Sequence, residues 1–131
     1  VISSAQPKQA ANVGVSDSYQ EYVKAAMRSV ATGGTAASVF KDYGVAIAAK
    51  TGTAELGTNG SDNVTFIGYA PYDDPQIAVA VVLEHGATGK YSMTVAKDLF
   101  DAYFFGKTVD SSGRLVMPSA SQAAGASSSA G

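Results

Sequence analysis

Residues 77–84 read I-A-V-A-V-V-L-E, a run in which both alternating sets of side chains are apolar. Successive side chains of a β-strand point to opposite faces of the sheet, so a strand of this composition is apolar on both faces. We therefore predict that helices cover both faces of the sheet to which this strand belongs. This requirement points to a layered fold that contains both helices and strands.

Two other segments have strand composition, Val45–Glu55 and Val64–Ala70. The first is followed by N-G-S-D-N at 59–63 and the second by P-Y-D-D-P at 71–75, and both sequences are typical of turns. Because these connections are short, the three consecutive strands are predicted to pair antiparallel.

A helix is predicted before the strands and another after them. Ser18 and Glu21 have the spacing of a capping box, and apolar residues then recur three and four positions apart until the helix ends at Thr32-Gly33-Gly34. Thr35–Phe40 is expected to form a short helix or a turn. The fold class is thus α+β, an antiparallel sheet of three strands with a helix before it and a C-terminal helix packed across it.

The C-terminal helix is predicted to begin with Ser92 as its cap and to end at Gly106. Its buried side is predicted from the helical spacing of its apolar residues. These residues are Val95, Leu99, Ala102, Phe104 and Phe105.

The two ends of the chain differ from its middle in composition. Residues 1–18 are predicted to be extended or weakly ordered, and residues 108–131, rich in Ser, Ala and Gly, are predicted to be a flexible tail. Residues 19–107 are the predicted folded portion. Since Val1 is not an initiator methionine, we expect the chain to be a piece of a longer protein.

Composition argues against several kinds of function. The net charge of -2 provides no basic surface for nucleic acid, and the absence of cysteine excludes disulfides and thiolate metal sites. Asp73 and Asp74 are interpreted as turn residues between two prolines, and His85 as a solvent-facing residue. No metal or cofactor is therefore expected.

The stretch A-A-K-T-G-T-A-E, Ala48–Glu55, is the candidate site. On a strand, Thr51 and Thr53 share one face, and Lys50 and Gly52 share the other. Gly52 would leave the backbone open to a ligand that pairs along the strand edge, and the ammonium with two hydroxyls suits a carboxylate. The alternative is an exposed lysine, threonines selected for strand propensity, and a glycine at a bulge.

The order of several segments resembles the end of the transpeptidase domain of class B penicillin-binding proteins. The segments are Y-V-K-A-A-M-R-S-V-A-T-G-G-T-A, then A-A-K-T-G-T-A-E, an Asn-rich turn, and T-F-I-G-Y-A-P-Y-D-D-P. The resemblance extends from about Tyr19 to Phe105 and includes the family's K-T-G signature. It implies that residues 19–107 are the C-terminal portion of a membrane-anchored D,D-transpeptidase that cross-links peptidoglycan at the extracytoplasmic face of the bacterial membrane.

The resemblance also implies roles for the four candidate residues. Lys50 would supply positive charge and hydrogen bonds toward the serines of the other two motifs, and Thr51 and Thr53 would contact the substrate carboxylate. Gly52 would keep the strand edge clear, and the backbone N–H of Thr53 would form half of the oxyanion hole. The implied ligands are stem peptides ending in D-Ala-D-Ala and the β-lactams that imitate them, with no cofactor.

Neither of the family's other two motifs, S-x-x-K and S-x-N, is recognised in its place before K-T-G, and no S-x-N triplet lies between a candidate serine and Lys50. Ser38-Val39-Phe40-Lys41 does spell S-x-x-K, but it lies only twelve residues before Lys50 and runs into a turn, so we interpret it as a coincidence. The chain is therefore expected to hold half of an active site and to be inactive alone. Two alternatives are a fragment of a serine β-lactamase and a non-catalytic module that senses β-lactams or binds peptidoglycan.

The third strand, Ile77–Glu84, is expected to have an open edge. An apolar strand with an unpaired edge is prone to aggregation unless another segment covers it. We predict that the N-terminal portion of the same protein, or a second copy of the chain, covers this edge.

Overall fold

The computed structural model describes residues 14–57 and 60–118. These residues form a three-stranded sheet with helices on either side and a small hairpin after it. In chain order the elements are α1 (Asp17–Thr32), α2 (Ala37–Phe40), β1 (Ala48–Ala54), β2 (Asn63–Ala70), β3 (Ile77–Leu83), α3 (Gly89–Phe105), β4 (Thr108–Val109) and β5 (Leu115–Val116).

The three main strands are antiparallel and lie in the order β1-β2-β3, which confirms the predicted α+β fold. Phe66 of β2 sits opposite Thr51 of β1 on one side and opposite Val81 of β3 on the other. Within the described residues, β1 and β3 each pair on one side only. Each of these two strands therefore has a free edge.

One face of the sheet forms the hydrophobic core. Phe66 projects from this core face, and its ring centroid lies 5.6 Å from that of Phe40 of α2. The Phe40 ring also meets the Phe100 ring of α3 edge-on at 6.1 Å. This face is the one that α3 crosses, as predicted. Aromatic rings bury large apolar areas, so this cluster supplies much of the packing between sheet and helices.

The opposite, outer face of the sheet is only partly covered. Helix α1 packs against β1, and Arg28 Nη1 donates a hydrogen bond of 2.9 Å to the carbonyl oxygen of Ile47, the residue before β1. Farther across this face, Ile67 of β2 is 50% exposed and Val82 of β3 is 68% exposed. The prediction that helices cover both faces is therefore wrong for the outer face of β3 within the described residues, because α1 is anchored over the other edge of the sheet.

Both predicted helix starts are wrong by a few residues. Helix α1 begins at Asp17 with Ser16 as its N-cap, and Glu21 accepts a 2.8 Å hydrogen bond from Lys24 instead of capping the helix as Ser18's partner. Helix α3 begins at Gly89, three residues before Ser92, with Thr88 as its N-cap.

Both helices end where predicted, at Gly33 and Gly106, and Gly106 adopts the left-handed conformation (φ 64°) that favours glycine.

The buried face of α3 is offset from the predicted one. Val95, Leu99 and Ala102 are exposed, whereas the buried residues of the helix are Ser92, Met93, Ala96, Phe100 and Asp101. Phe104 does pack against the core, as predicted, whereas Phe105 is exposed, although its ring centroid lies 5.8 Å from that of Tyr43. The helix is apolar on two faces, so the spacing of its apolar residues alone does not identify the face that is buried.

Asp101 is a charged residue in this interior, with only 2% of its surface exposed. It accepts hydrogen bonds from Lys97 Nζ at 2.7 Å, Lys107 Nζ at 2.6 Å and the Tyr43 hydroxyl at 2.8 Å. Burial alone would raise the pKa of the Asp101 carboxyl, but the hydrogen bonds from Lys107, Lys97 and Tyr43 outweigh it and hold the pKa below its usual value. Burial, reinforced by the bond to Asp101, raises the pKa of the Tyr43 phenol.

A hairpin of two-residue strands, β4 and β5, follows α3 within the segment for which composition predicts a flexible tail. Asp110 Oδ1 accepts bonds from the backbone N–H groups of Ser112 and Arg114 and so closes its turn. The predicted N-terminal segment as far as residue 13, and the tail from residue 119, lie outside the described residues. Of the helices that the structure describes, none is long and apolar enough to cross a membrane.

Candidate active-site strand

The K-T-G segment forms the middle of β1, and β1 is an edge strand of the sheet. Alternate residues of an edge strand direct their backbone N–H and C=O groups away from the sheet. Within the described residues nothing pairs with this side of β1. The strand can therefore accept a further extended peptide by main-chain hydrogen bonds.

Lys50 lies on the outer face of the sheet, opposite Ile67 in the strand register. Its side chain is exposed, and its Nζ donates a hydrogen bond to the carbonyl oxygen of Thr51. Among residues 14–57 and 60–118, Lys50 forms no ion pair with a carboxylate. Its positive charge is thus available to an anionic ligand at the strand edge.

An apolar groove of about 470 Å³ runs between α1 and the outer face of the sheet, beside Lys50. Tyr22 of α1, which is 75% exposed, and Ile67 of β2 lie on opposite sides of it. The groove is lined by Tyr22, Val23, Ala26, Met27, Val30, Lys50 and Ile67. Lys50 is the one charged residue in this lining, so the ammonium stands at the border of an open apolar surface.

Thr51 and Thr53 lie on the core face of β1, on the side of the strand opposite Lys50. Thr53 is exposed near the end of the strand, whereas Thr51 is half-buried and its Oγ1 lies 2.8 Å from the Oγ1 of Thr35. The predicted alternation of the ammonium and the two hydroxyls is therefore what the register shows. The lysine and the hydroxyls leave opposite faces of the strand and flank the same free edge.

Gly52 has a structural requirement of its own. A Cβ atom at this position would lie 2.4 Å from Oγ1 of Thr65, the residue opposite it on β2. Such a distance is well below van der Waals contact, so any side chain at position 52 would force the Thr65 hydroxyl to move. The neighbouring strand thus accounts for this glycine without a ligand.

The other sequence candidates lie apart from this constellation. Ser38 is an exposed residue of the one-turn helix α2, and Lys41 follows the end of that helix, so they lack the long helix expected for a catalytic S-x-x-K. The His85 backbone N–H donates to Asn63 Oδ1 at 2.9 Å, and the His85 Nδ1 lies 3.1 Å from the Ser61 carbonyl oxygen. This histidine is exposed, as predicted, and ties two loops together.

No group of three or more potential metal ligands lies close together in the part of the chain that the structure describes. Asp73 and Asp74 are exposed residues between β2 and β3.

Two side chains at the site were not singled out from the sequence, the hydroxyls of Thr35 and Thr65. Thr35 belongs to the G-G-T-A turn that carries part of the family resemblance, but no spacing rule links it to β1.

Comparison with known proteins gives the same family as the motifs. The sequence matches the family described as the penicillin binding protein transpeptidase domain over residues 1–104. It is 37% identical to penicillin-binding protein 2A of Bacillus subtilis over 118 aligned residues, a match that covers 79% of this chain and 16% of the relative. It is 32% identical to the peptidoglycan D,D-transpeptidase MrdA of Escherichia coli, covering 77% of this chain and 18% of that protein.

A solved structure has the same fold. Penicillin-binding protein 2B of Streptococcus pneumoniae superposes with a TM-score of 0.67 at 33% identity, covering 79% of this chain and 18% of that structure. The chain therefore spans less than a fifth of the length of each of these three relatives. The chain contains one part of the transpeptidase domain. Because the family match covers most of the chain, this protein belongs to the penicillin-binding protein transpeptidase-domain family.

Proposed function

We propose that this chain supplies the K-T-G strand of a peptidoglycan D,D-transpeptidase and is catalytically incomplete on its own. One observation carries the proposal: K-T-G lies on a free strand edge, and the ammonium of Lys50 forms no ion pair among the described residues and lies beside an open apolar groove. The name of the Escherichia coli relative, a peptidoglycan D,D-transpeptidase, supports the same reaction class.

In this proposal the substrate is a stem peptide ending in D-Ala-D-Ala that lies antiparallel along the free edge of β1. Lys50 provides positive charge beside the substrate carboxylate, and Thr51 and Thr53 provide hydroxyl donors to it. Gly52 leaves the edge without a side chain, and the Thr53 N–H donates to the developing oxyanion. β-Lactams occupy the same edge as mimics of the D-Ala-D-Ala terminus.

The nucleophile comes from a segment outside this chain. The only S-x-x-K sequence, at Ser38, lies in an exposed single turn of helix, which supports its interpretation as a coincidence. The acyl-enzyme would form on a serine of the upstream part of the transpeptidase domain, with loss of the terminal D-Ala. An amine of a neighbouring stem peptide would then resolve it.

The free edge of β3 is the proposed contact with that upstream part, or with a second copy of the chain. Beside this edge is a second open apolar groove, with a volume of about 540 Å³, between β3 and α3. Leu99 and Tyr103 of α3 line it. Leu99 is 46% exposed in the described structure. A strand paired to β3 and an apolar element packed on α3 would cover both the unpaired backbone and this surface.

We place the complete protein at the extracytoplasmic face of the bacterial membrane. The reaction carries this assignment, because peptidoglycan is assembled outside the cytoplasm. We propose that a membrane anchor belongs to the upstream part of the protein.

A covalent-labelling experiment tests the proposed function. The chain is incubated with a fluorescent penicillin, with and without the upstream polypeptide, and the intact mass is measured. We expect an adduct only when the upstream part is present, and we expect Ser38→Ala to leave it unchanged. An adduct on this chain alone that Ser38→Ala abolishes would refute the half-site proposal.

The stability of the adduct separates the alternative functions. A transpeptidase retains the penicilloyl group as a long-lived adduct, because the expelled amine stays tethered to it, whereas a β-lactamase releases the group rapidly to water. With a D-Ala-D-Ala peptide as donor, transfer of the acyl group to an added D-amino acid supports the transpeptidase. Rapid hydrolysis without transfer would favour a β-lactamase, and reversible binding without an adduct would favour a sensing or binding module.

A further inference from the structure

The Thr35 hydroxyl meets the Thr51 hydroxyl of the K-T-G strand. Their Oγ1 atoms are 2.8 Å apart, an ordinary distance for a hydrogen bond between two hydroxyls, although the residues are 16 positions apart in sequence. Thr35 is exposed and Thr51 is half-buried, so the pair lies at the surface beside the free edge of β1. The contact joins the turn between α1 and α2 to the candidate site.

The turn that carries Thr35 is held by its own backbone. The Gly34 N–H donates to the Ser29 carbonyl oxygen at 3.0 Å, and the Ala36 N–H donates to the Val30 carbonyl oxygen at 3.1 Å. A Cβ atom at Gly34 would lie 2.9 Å from the Val30 Cα, so the turn is closely packed against the end of α1. Ala36, the next residue after Thr35, is fully buried. Thr35 is therefore fixed on both sides and can hold its partner in one position.

The chemistry of the pair assigns a direction to the hydrogen bond. Each hydroxyl has one proton to donate, and a carboxylate can only accept. If Thr51 donated to Thr35, it would have no proton left for an anionic ligand. If Thr35 donates to Thr51, the Thr51 proton is free to point toward the strand edge. The direction that suits a carboxylate ligand is thus from Thr35 to Thr51.

We propose that Thr35 is a positioning residue for the site: its hydroxyl donates to Thr51 Oγ1 and so directs the Thr51 proton to the carboxylate of the substrate or β-lactam. This inference rests on the proposed function. The two hydroxyls and the carboxylate form a short chain of hydrogen bonds in which each bond polarises the next. Thr35 does not touch the ligand and acts through Thr51.

The test uses the transpeptidase that contains this chain together with its upstream part. The second-order rate of acylation is measured with a penicillin and with its carboxyl methyl ester, which lacks the anionic acceptor. Thr35→Val retains the shape of the side chain and removes the hydroxyl, and Thr35→Ser restores the hydroxyl. Thr32→Val is the matched control, since within residues 14–57 and 60–118 the Thr32 hydroxyl bonds only to carbonyl oxygens of α1.

We expect Thr35→Val to slow acylation by the free-acid penicillin about tenfold and by the ester less than about twofold. Without the Thr35 hydroxyl, the Thr51 proton is no longer directed to the penicillin carboxylate, and the ester has no carboxylate to lose that bond. Thr35→Ser is expected to recover most of the rate, and Thr32→Val to leave it unchanged. In a Thr51→Val background, Thr35→Val is expected to add little further loss, because the two residues act as a unit.

Equal losses with the acid and the ester, no recovery in Thr35→Ser, or fully additive losses with Thr51→Val would each overturn the inference. An unchanged rate in Thr35→Val, with a wild-type protein that is acylated, would overturn this inference alone. Failure of the wild-type protein to be acylated by either compound would overturn the proposed function and this inference together.

Discussion

The free edges of β1 and β3 lie on opposite sides of one three-stranded sheet, and they carry different side chains. The edge strand β1 carries Lys50, Thr51 and Thr53, all with a polar group. The edge strand β3 reads I-A-V-A-V-V-L and has no polar side chain between Ile77 and Leu83. Both edges are unpaired within the described residues, so the difference between them lies in the side chains.

The difference indicates two kinds of partner. A strand edge flanked by an ammonium and hydroxyls suits a small anionic peptide that binds and leaves. A strand edge flanked by alanine, valine and the exposed apolar side of α3 suits a permanent neighbour, since an apolar edge left uncovered promotes aggregation. The β1 edge is therefore the candidate site, and the β3 edge is the candidate packing surface.

The largest effect is expected at the β1 edge. In a protein that includes the upstream part, Lys50→Met should lower the second-order rate of penicillin acylation by roughly 100-fold to 1000-fold, because it removes a charge aimed at the anionic ligand and the reacting centre. Fluorescent penicillin labelling followed over time measures this rate. Lys90→Met, at an exposed lysine of α3, serves as the control and should have no effect. Equal acylation rates in the two variants would show that Lys50 is not part of the site.

A charge at the β3 edge is expected to act on stability instead. In the same protein, Leu99→Asp should lower the free energy of unfolding by about 3 kcal/mol, because the carboxylate would be placed in the apolar contact with the covering segment. The midpoint of chemical denaturation measures the loss. The matched change Thr94→Asp is on an exposed part of the same helix and should cost little. Similar behaviour of the two variants would mean that this side of α3 stays open to solvent.

A smaller loss of stability is expected from Asp101→Asn, in the interior of the protein. It should lower the free energy of unfolding by about 2 kcal/mol at neutral pH, because it leaves two lysines without their carboxylate. The folded-state pKa of Asp101 is lowered, so its stabilisation is present above the pKa of the unfolded chain, about 3.9, and is lost as pH falls through the folded-state value.

Denaturation midpoints measured from pH 7 to pH 3 test this dependence. We expect the wild-type protein to lose more stability than Asp101→Asn over this range, with Asp98→Asn, at an exposed position of α3, behaving like wild type. The acylation rate of the folded Asp101→Asn protein should be unchanged. Parallel pH curves for wild type and Asp101→Asn would show that this carboxylate adds nothing.

The smallest effect concerns the packing behind β1. Gly52→Ala should destabilise the protein by about 1 kcal/mol, because its Cβ would approach the Thr65 hydroxyl, and Thr65→Ala should restore most of that loss. Stability and acylation are measured in both single variants and in the double variant. Recovered stability with acylation still slow would show that the ligand itself requires a glycine at the edge. A loss that Thr65→Ala does not relieve would contradict the steric explanation.

Most of the sheet could be predicted because its signals are local. Turn residues at 59–63 and 71–75 mark the connections, and the short connections require antiparallel pairing. Because side chains alternate along a strand, Lys50 lies on one face of the sheet and Thr51 and Thr53 lie on the other, as the structure shows. The strands end within a few residues of the predicted positions.

Helix starts and the helix face were less predictable. Ser16, Ser18, Thr88 and Ser92 are all suitable caps, and the choice between neighbours depends on where the chain enters the helix. On α3, the set that includes Leu99 and the set that includes Phe100 both have helical spacing. The aromatic ring of Phe100 meets Phe40, a contact between distant parts of the chain that spacing does not encode.

The order of the strands, the position of K-T-G on one of them and the family could all be inferred from the sequence. These features follow from patterns within a few residues of one another and from an ordered series of motifs. The packed fold was needed to show that Asp101 lies inside with two lysines and Tyr43, that Thr65 accounts for Gly52, and that Thr35 meets Thr51. The two lysines are near Asp101 in sequence, but the contacts with Tyr43, Thr65 and Thr35 join distant parts of the chain. These distant contacts depend on the angles and distances at which helices and strands pack.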